Sequence, residues 1–171
     1  MGHRSKGPGV TRRLVILELT RLEAAHLAGL VTQFAELVDG AATDDGDPAI
    51  ARLAPDAYDE PGAADEFRRL TEADLLDRRR DDAQIVLASL ADAAQIPDDP
   101  DDPALLETVP VELAPEATGA WLRTLAAIRL VLATRLGITE EDHHSPEDPR
   151  FGIYDWLGYR LDGLVSAVEG D

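Results

Sequence analysis

A chain of 171 residues that is 44% hydrophobic is long enough to bury a core and too apolar to be wholly disordered. Its 16 basic and 34 acidic residues leave a formal net charge of −18, which repels a phosphate backbone and disfavours tight, autonomous DNA binding. There is no cysteine, so disulfides, thiol catalysis, thiolate metal sites and thiol redox sensing are excluded.

Residues 1–11 read as a flexible basic leader, and residues 12–171 as one domain. The leader carries charge but no apolar centre, so it is not a secretory signal. No run approaches the roughly 18 apolar residues of a membrane span. The expected location is the cytoplasm, with no membrane partner.

Leu14 to Leu19 is a short β-branched run suited to a strand. Thr20 and Glu23 have the capping-box spacing and open a helix to about Val38. Its apolar face carries Leu27, Leu30, Val31, Phe34, Leu37 and Val38, and leaves His26 on the surface. Asp39-Gly40 ends it. Residues 43–46 form an acidic turn. Asp47-Pro48 caps a short helix from Ala49 to Leu53, which Pro55 stops. Tyr58 is expected to pack back onto the core. Pro61 starts another short helix through Phe67 and Leu70. Thr71 to Asp74 resembles a capping box and is expected to open a separate long helix to about Ala93. Its apolar positions are Leu75, Leu76, Ile85, Val86, Leu87 and Leu90.

The run from Gln95 to Thr108 contains PDDPDDP, a solvated loop. Val109 to Leu113 is a second strand, which Pro110 confines to an edge. Pro115 opens the helix around which the chain is organised, and Gly137 ends it. Within it, Trp121, Leu125, Ile128, Leu132 and Leu136 recur at helical spacing. Leu122, Leu130 and Val131 widen the apolar surface, leaving only the arc of Arg123, Ala127 and Thr134 for solvent. A helix apolar on most sides is wrapped by others. Residues 139–148 form a third acidic loop. Asp148-Pro149 caps the last helix, to about Val168, with the stripe Ile153, Tyr154, Leu157, Leu161, Leu164, Val165 and Val168.

The fold expected is therefore mainly α: a helical bundle around a central buried helix, with two short strands that pair. The strands share the pattern Val-x-Leu/Val-Glu-Leu and each leads into a long helix. That echo is either a common strand-to-helix signal or a pair of matching β–α units. Two strands alone are marginal and must lie on the helices.

No Gly-rich phosphate loop, nucleophile elbow or zinc-peptidase motif occurs, so no catalytic residue, cofactor or enzyme activity is expected. The loop with Glu140, Glu141, Asp142, His143, His144, Glu147 and Asp148 offers metal ligands without fixed spacing. A solvated loop is the first reading, and oxygen-rich divalent-ion binding the alternative. Arg68, Arg69, Arg78, Arg79 and Arg80 form the dense basic cluster, with Phe67 beside it. These arginines either neutralise Glu66, Asp74, Asp77, Asp81 and Asp82 or form a partner-binding surface. Arg129, at the edge of the central helix's core face, needs a carboxylate; Asp155 and Asp162 are the candidates for a structural ion pair.

The segments DPAIARLAPDAYDE, EFRRLTEADLLDRRR, WLRTLAAIRLVLATRLGI and YDWLGYRLDGL occur in that order. Over residues 10–168 the chain resembles an actinobacterial family once known only as a domain of unknown function, the AosR family of actinomycete oxidative stress regulators. Its members are commonly encoded near the ClpS adaptor and an MPN-type metallopeptidase. The resemblance implies a cytoplasmic, non-enzymatic regulator of oxidative-stress transcription that contacts proteins such as a sigma factor. The alternative is an adaptor for neighbouring Clp-type proteolysis or sulfur-metabolism genes. Thiol sensing cannot operate in this chain, and Met1, its one methionine, lies in the leader.

Overall fold

The computed structural model describes residues 13–41, 46–54, 65–139 and 144–170. The leader, most of the 43–46 turn, Tyr58, Pro61 and residues 140–143 lie outside them. The described elements are β1 (Val15–Thr20), α1 (Arg21–Gly40), α2 (Pro48–Leu53), α3 (Asp65–Leu90), β2 (Thr108–Leu113), α4 (Pro115–Leu136) and α5 (Gly152–Glu169), with 3-10 turns at Pro103–Leu106 and Pro149–Phe151. The fold is mainly α with one two-stranded sheet. Among the described residues no helix is long and apolar enough to cross a membrane.

β1 and β2 pair antiparallel, with Val15 opposite Leu113 and Glu18 opposite Pro110. The next pair in register, Arg21 and Glu107, is joined by a 3.0 Å backbone bond. Hydrogen-bonded and open pairs alternate in such a ladder, so Glu18 and Pro110 form an open pair. Pro110 therefore points its missing N–H at the outer edge of β2 and costs no ladder bond. Val15, Leu19, Val111 and Leu113 are buried against the helices, whereas Ile16 and Glu112 face solvent.

The capping box at the start of α1 forms as the spacing predicts. Thr20 Oγ1 accepts from Glu23 N (3.1 Å), and Glu23 Oε2 accepts from Thr20 N (2.9 Å). The stripe Leu27, Val31, Phe34 and Val38 is buried, with Leu30 and Leu37 at its margins. His26 is on the surface. Asp47 caps α2 and also receives Arg135 of α4 at 2.9 and 2.6 Å, which locks α2 onto the end of α4.

The two helices expected on either side of residue 71 are one. Thr71 is an interior residue of α3, and its hydroxyl donates to the Phe67 carbonyl at 2.9 Å instead of capping a new start. Helix-compatible residues on both sides of Thr71 let the helix run through a cap-like sequence. Only the later part of α3 enters the core, through Leu76, Ala83, Val86 and Leu90. The Pro/Asp-rich loop after it is solvated except where the Pro103–Leu106 turn, capped by Asp102, buries Leu105.

α4 is the central helix. It packs on α2, α3 and α5, and Trp121, Leu125 and Ile128 join Leu157 and Leu164 of α5 in one apolar cluster. Leu132 and Leu161 are only partly buried at its margin. Ala127, expected to face solvent, is buried, because α2 and α3 both pack on α4 and close the arc it shares with Arg123, which binds Asp82 of α3, and Thr134, which accepts from Arg52 of α2. Gly137 takes the left-handed conformation (φ 68°), and the Ile138 amide closes back on Ala133 O at 2.8 Å. On α5 the predicted stripe is too wide. Ile153, Val165 and Val168 are exposed, since α5 lies at the edge of the bundle and buries a narrower strip.

Candidate functional site

A hollow of about 540 Å³ lies between α1 and α5. Ala25, Gly29 and Leu30 of α1 form one wall, and Gly152, Ile153 and Trp156 of α5 the other. Glu23, His26 and Gln33 add polar groups. The periodicity of α1 was informative about its buried face and silent about this one.

Glu23 fixes one end of the hollow. Its carboxylate accepts from the Thr20 amide, from Trp156 Nε1 at 3.3 Å and from Arg160 Nη2 at 2.6 Å. Burial raises the Glu23 carboxyl, but the Thr20 amide, Arg160 and Trp156 together outweigh it and hold it below its ordinary value. Arg160 also donates to the Glu18 carbonyl of β1 at 3.3 Å and lies beside the rings of Trp156 and Tyr159. The indole is thus held in one orientation by a network spanning β1, α1 and α5. The capping-box spacing signals half of this role of Glu23; its long-range half has no local signal.

The arginine cluster divides. Arg80 is bound to Asp39 of α1 at 3.1 Å and to Asp77 at 3.2 Å. Asp39 and Asp77 hold its guanidinium above its ordinary value. Arg68 is half-buried. Among the described residues Arg69, Arg78 and Arg79 make no ion pair. Arg78 and Arg79 border a hollow with Leu75 and the bidentate Arg123–Asp82 pair, whose bonds are 2.8 and 2.9 Å. Phe67 and Leu70 are 55% and 62% exposed on the first turns of the same helix. The chain therefore brings Phe67, Arg69, Arg78 and Arg79 onto one accessible helix, while Arg80 ties α3 to α1.

The expected pair of Arg129 with Asp155 or Asp162 does not form. Arg129 lies over the Tyr154 ring at 4.1 Å and donates from Nε to the Tyr154 carbonyl at 3.4 Å. Gly158 makes room for it: a Cβ there would stand 3.1 Å from Arg129 Nε and Nη2. An aromatic face and a carbonyl replace the carboxylate. Asp155 binds His144 Nε2 at 2.7 Å instead, and His144 stacks on Phe151 at 4.2 Å. Asp162 is exposed. Residues 140–143 of the histidine-containing loop lie outside the described residues, and among those described no three His, Asp or Glu side chains converge as a metal site.

The sequence is similar to curated proteins named oxidative stress regulator AosR. Relatives from Mycobacterium bovis and from two strains of Mycobacterium tuberculosis are each 28% identical over 155 residues, covering 77% of this chain. The chain spans 62% of the length of those relatives. No solved structure matches it significantly. The pattern of the family described as domain of unknown function DUF2017 matches residues 2–168. With nearly the whole sequence inside that match, the chain belongs to the DUF2017 family.

Proposed function

We propose that this chain is a non-enzymatic, cytoplasmic regulator that works through protein contacts in oxidative-stress transcription. The observation that carries the reading is the stretch of α3 from Phe67 to Arg79, where the exposed Phe67 and Leu70, with Arg69 between them, are followed along the same helix by Arg78 and Arg79. Aromatic and arginine side chains are the residues that anchor protein interfaces, and an arginine fork binds carboxylates in two-pronged fashion. The similarity to proteins named oxidative stress regulators supports the pathway. The net charge of −18 supports a protein partner, such as a sigma factor, over naked DNA.

The test is affinity capture from an actinobacterial lysate with the full chain as bait. Recovery of a sigma factor or polymerase subunits supports the reading. Recovery of Clp components without them overturns it in favour of a proteolytic adaptor.

A further inference from the structure

The hollow between α1 and α5 has glycines in its walls that the fold itself does not require. Gly29 lies inside α1, where glycine costs about 1 kcal/mol relative to alanine. A Cβ at Gly29 would meet nothing within 4 Å, and its backbone is not left-handed. The same space is open at Gly152, the first residue of α5, on the opposite wall. Both missing side chains deepen one hollow. Above them Ile153 stays 51% exposed, and Trp156 is held in place through Glu23.

We propose that this groove seats one amphipathic α-helix of a partner protein, apolar on the inserted face and basic on its flanks. Along α1 the lining runs from Glu23 to Gln33, about 15 Å or three helical turns. The hollow is a surface depression and not an enclosed cavity, so a small molecule in it would stay partly wet, unlike ligands in enclosed pockets. An extended peptide would bring unpaired backbone groups against walls made of helix side chains, which offer no ladder to complete. A helix satisfies its own backbone, and glycine walls let it approach closely. The −18 charge of the chain selects basic flanks and steers them in. This surface is distinct from the α3 face and stands whether or not that face binds.

The experiment uses the full chain and a Leu/Ala/Lys peptide of about four helical turns, with its apolar residues in one stripe. A peptide of the same composition with the stripe scrambled is the control. Trp156 is the reporter, because Trp121 is 1% exposed. The striped peptide is expected to change Trp156 emission and to bind about tenfold more tightly than the scrambled one. Gly29→Leu, whose Cβ enters open space and whose side chain narrows the groove, should weaken it about tenfold with no loss of melting temperature. Ile153→Ser, at an exposed position, gives the same readout should Gly29→Leu misfold. Gly163→Leu, on α5 beside a different hollow and equally open at its Cβ, should change nothing. Equal binding of the two peptides overturns the proposal, because charge alone then suffices. So does striped-peptide binding that survives both groove substitutions. Binding of the dye anilinonaphthalene sulfonate, lost in Gly29→Leu, without any peptide binding overturns it in favour of a small-molecule site.

Discussion

Arg160 donates from Nη2 to Glu23 Oε1 over 2.6 Å, joining two residues 137 positions apart. Glu23 is at the same time the closing residue of the cap on α1. One carboxylate therefore fixes where a helix starts and where another helix lies.

That double role sets a pH dependence. The Glu23 carboxyl is held below its ordinary value in the folded chain, so the unfolded chain binds the proton more readily. Its contribution is full above the unfolded value of about 4.3 and is lost as pH falls through the lower folded value. Asp47, held down by Arg135 and the Ala49 amide, acts with the same sign. Glu23→Gln keeps one acceptor and is expected to cost about 1–2 kcal/mol at neutral pH. Below about pH 4.3 its melting temperature should fall less steeply than that of the parent chain. Parallel acid slopes in thermal melts between neutral and acid pH would sink this account.

The core makes a graded prediction. Leu125 is fully buried, whereas Leu132 sits at the margin of the cluster. Leu125→Ala should cost about 2–5 kcal/mol by chemical denaturation, because a cavity is left where nothing can collapse freely. Leu132→Ala should cost less. Equal losses would place α4 in a different rotational setting from the one described.

These contrasts show what the sequence made legible. The strands, the α1 cap, the short α2 and the central α4 all follow from local signals that tertiary packing reinforces. The merging of residues on both sides of Thr71 into one helix does not, because a cap-like run starts a helix only where the preceding chain has left the helical path. The excess width assigned to α5 has the same origin: periodicity reports which residues can be buried, not how many neighbours arrive to bury them. Arg129 shows the third kind of failure. Its need for a partner was readable, but Tyr154 and the space at Gly158 met that need where a carboxylate was expected. Of the binding surfaces, the α3 cluster was visible as composition. The α1–α5 groove was not, since its signal is two glycines whose meaning depends on what faces them.

Two glycines should therefore respond in opposite ways to one added methyl group. At Gly29 there is open space, and Gly29→Ala should stabilise the chain by about 0.5–1 kcal/mol through helix propensity. At Gly158 the new Cβ presses on the Arg129 guanidinium, which must give by a few tenths of an ångström while held over the Tyr154 ring, offsetting that gain. Thermal melts of the two variants decide the matter. Equal stabilisation would mean that the Arg129–Tyr154 contact contributes nothing.

Tight binding to duplex DNA by the isolated chain is not expected. A net charge of −18 repels phosphate, and on α3 Arg80 is already neutralised by Asp39 and Asp77. Fluorescence anisotropy with duplexes of mixed sequence should show no salt-sensitive binding below about micromolar concentration. Binding in that range would point to Arg69, Arg78 and Arg79.

The arginines of α3 separate a structural role from an interface role. Arg80 spans α3 and α1, but its side chain is 42% exposed, and solvent screening leaves an exposed ion pair little net effect on stability. Arg80→Gln should therefore lower stability slightly. Arg78→Gln and Arg79→Gln remove guanidinium groups that hold no ion pair among the described residues, so the melting temperature should stay where it is. If α3 docks a partner, those two substitutions should nonetheless weaken recovery of that partner, because a lost fork leaves its carboxylate without a match. Phe67→Ala, at a position 55% exposed, should do the same without unfolding the chain. Melting and capture measured on the same four variants make the distinction. Partner recovery unchanged in Arg78→Gln, Arg79→Gln and Phe67→Ala would remove the α3 face as the working surface and leave Arg80 as a strut between helices.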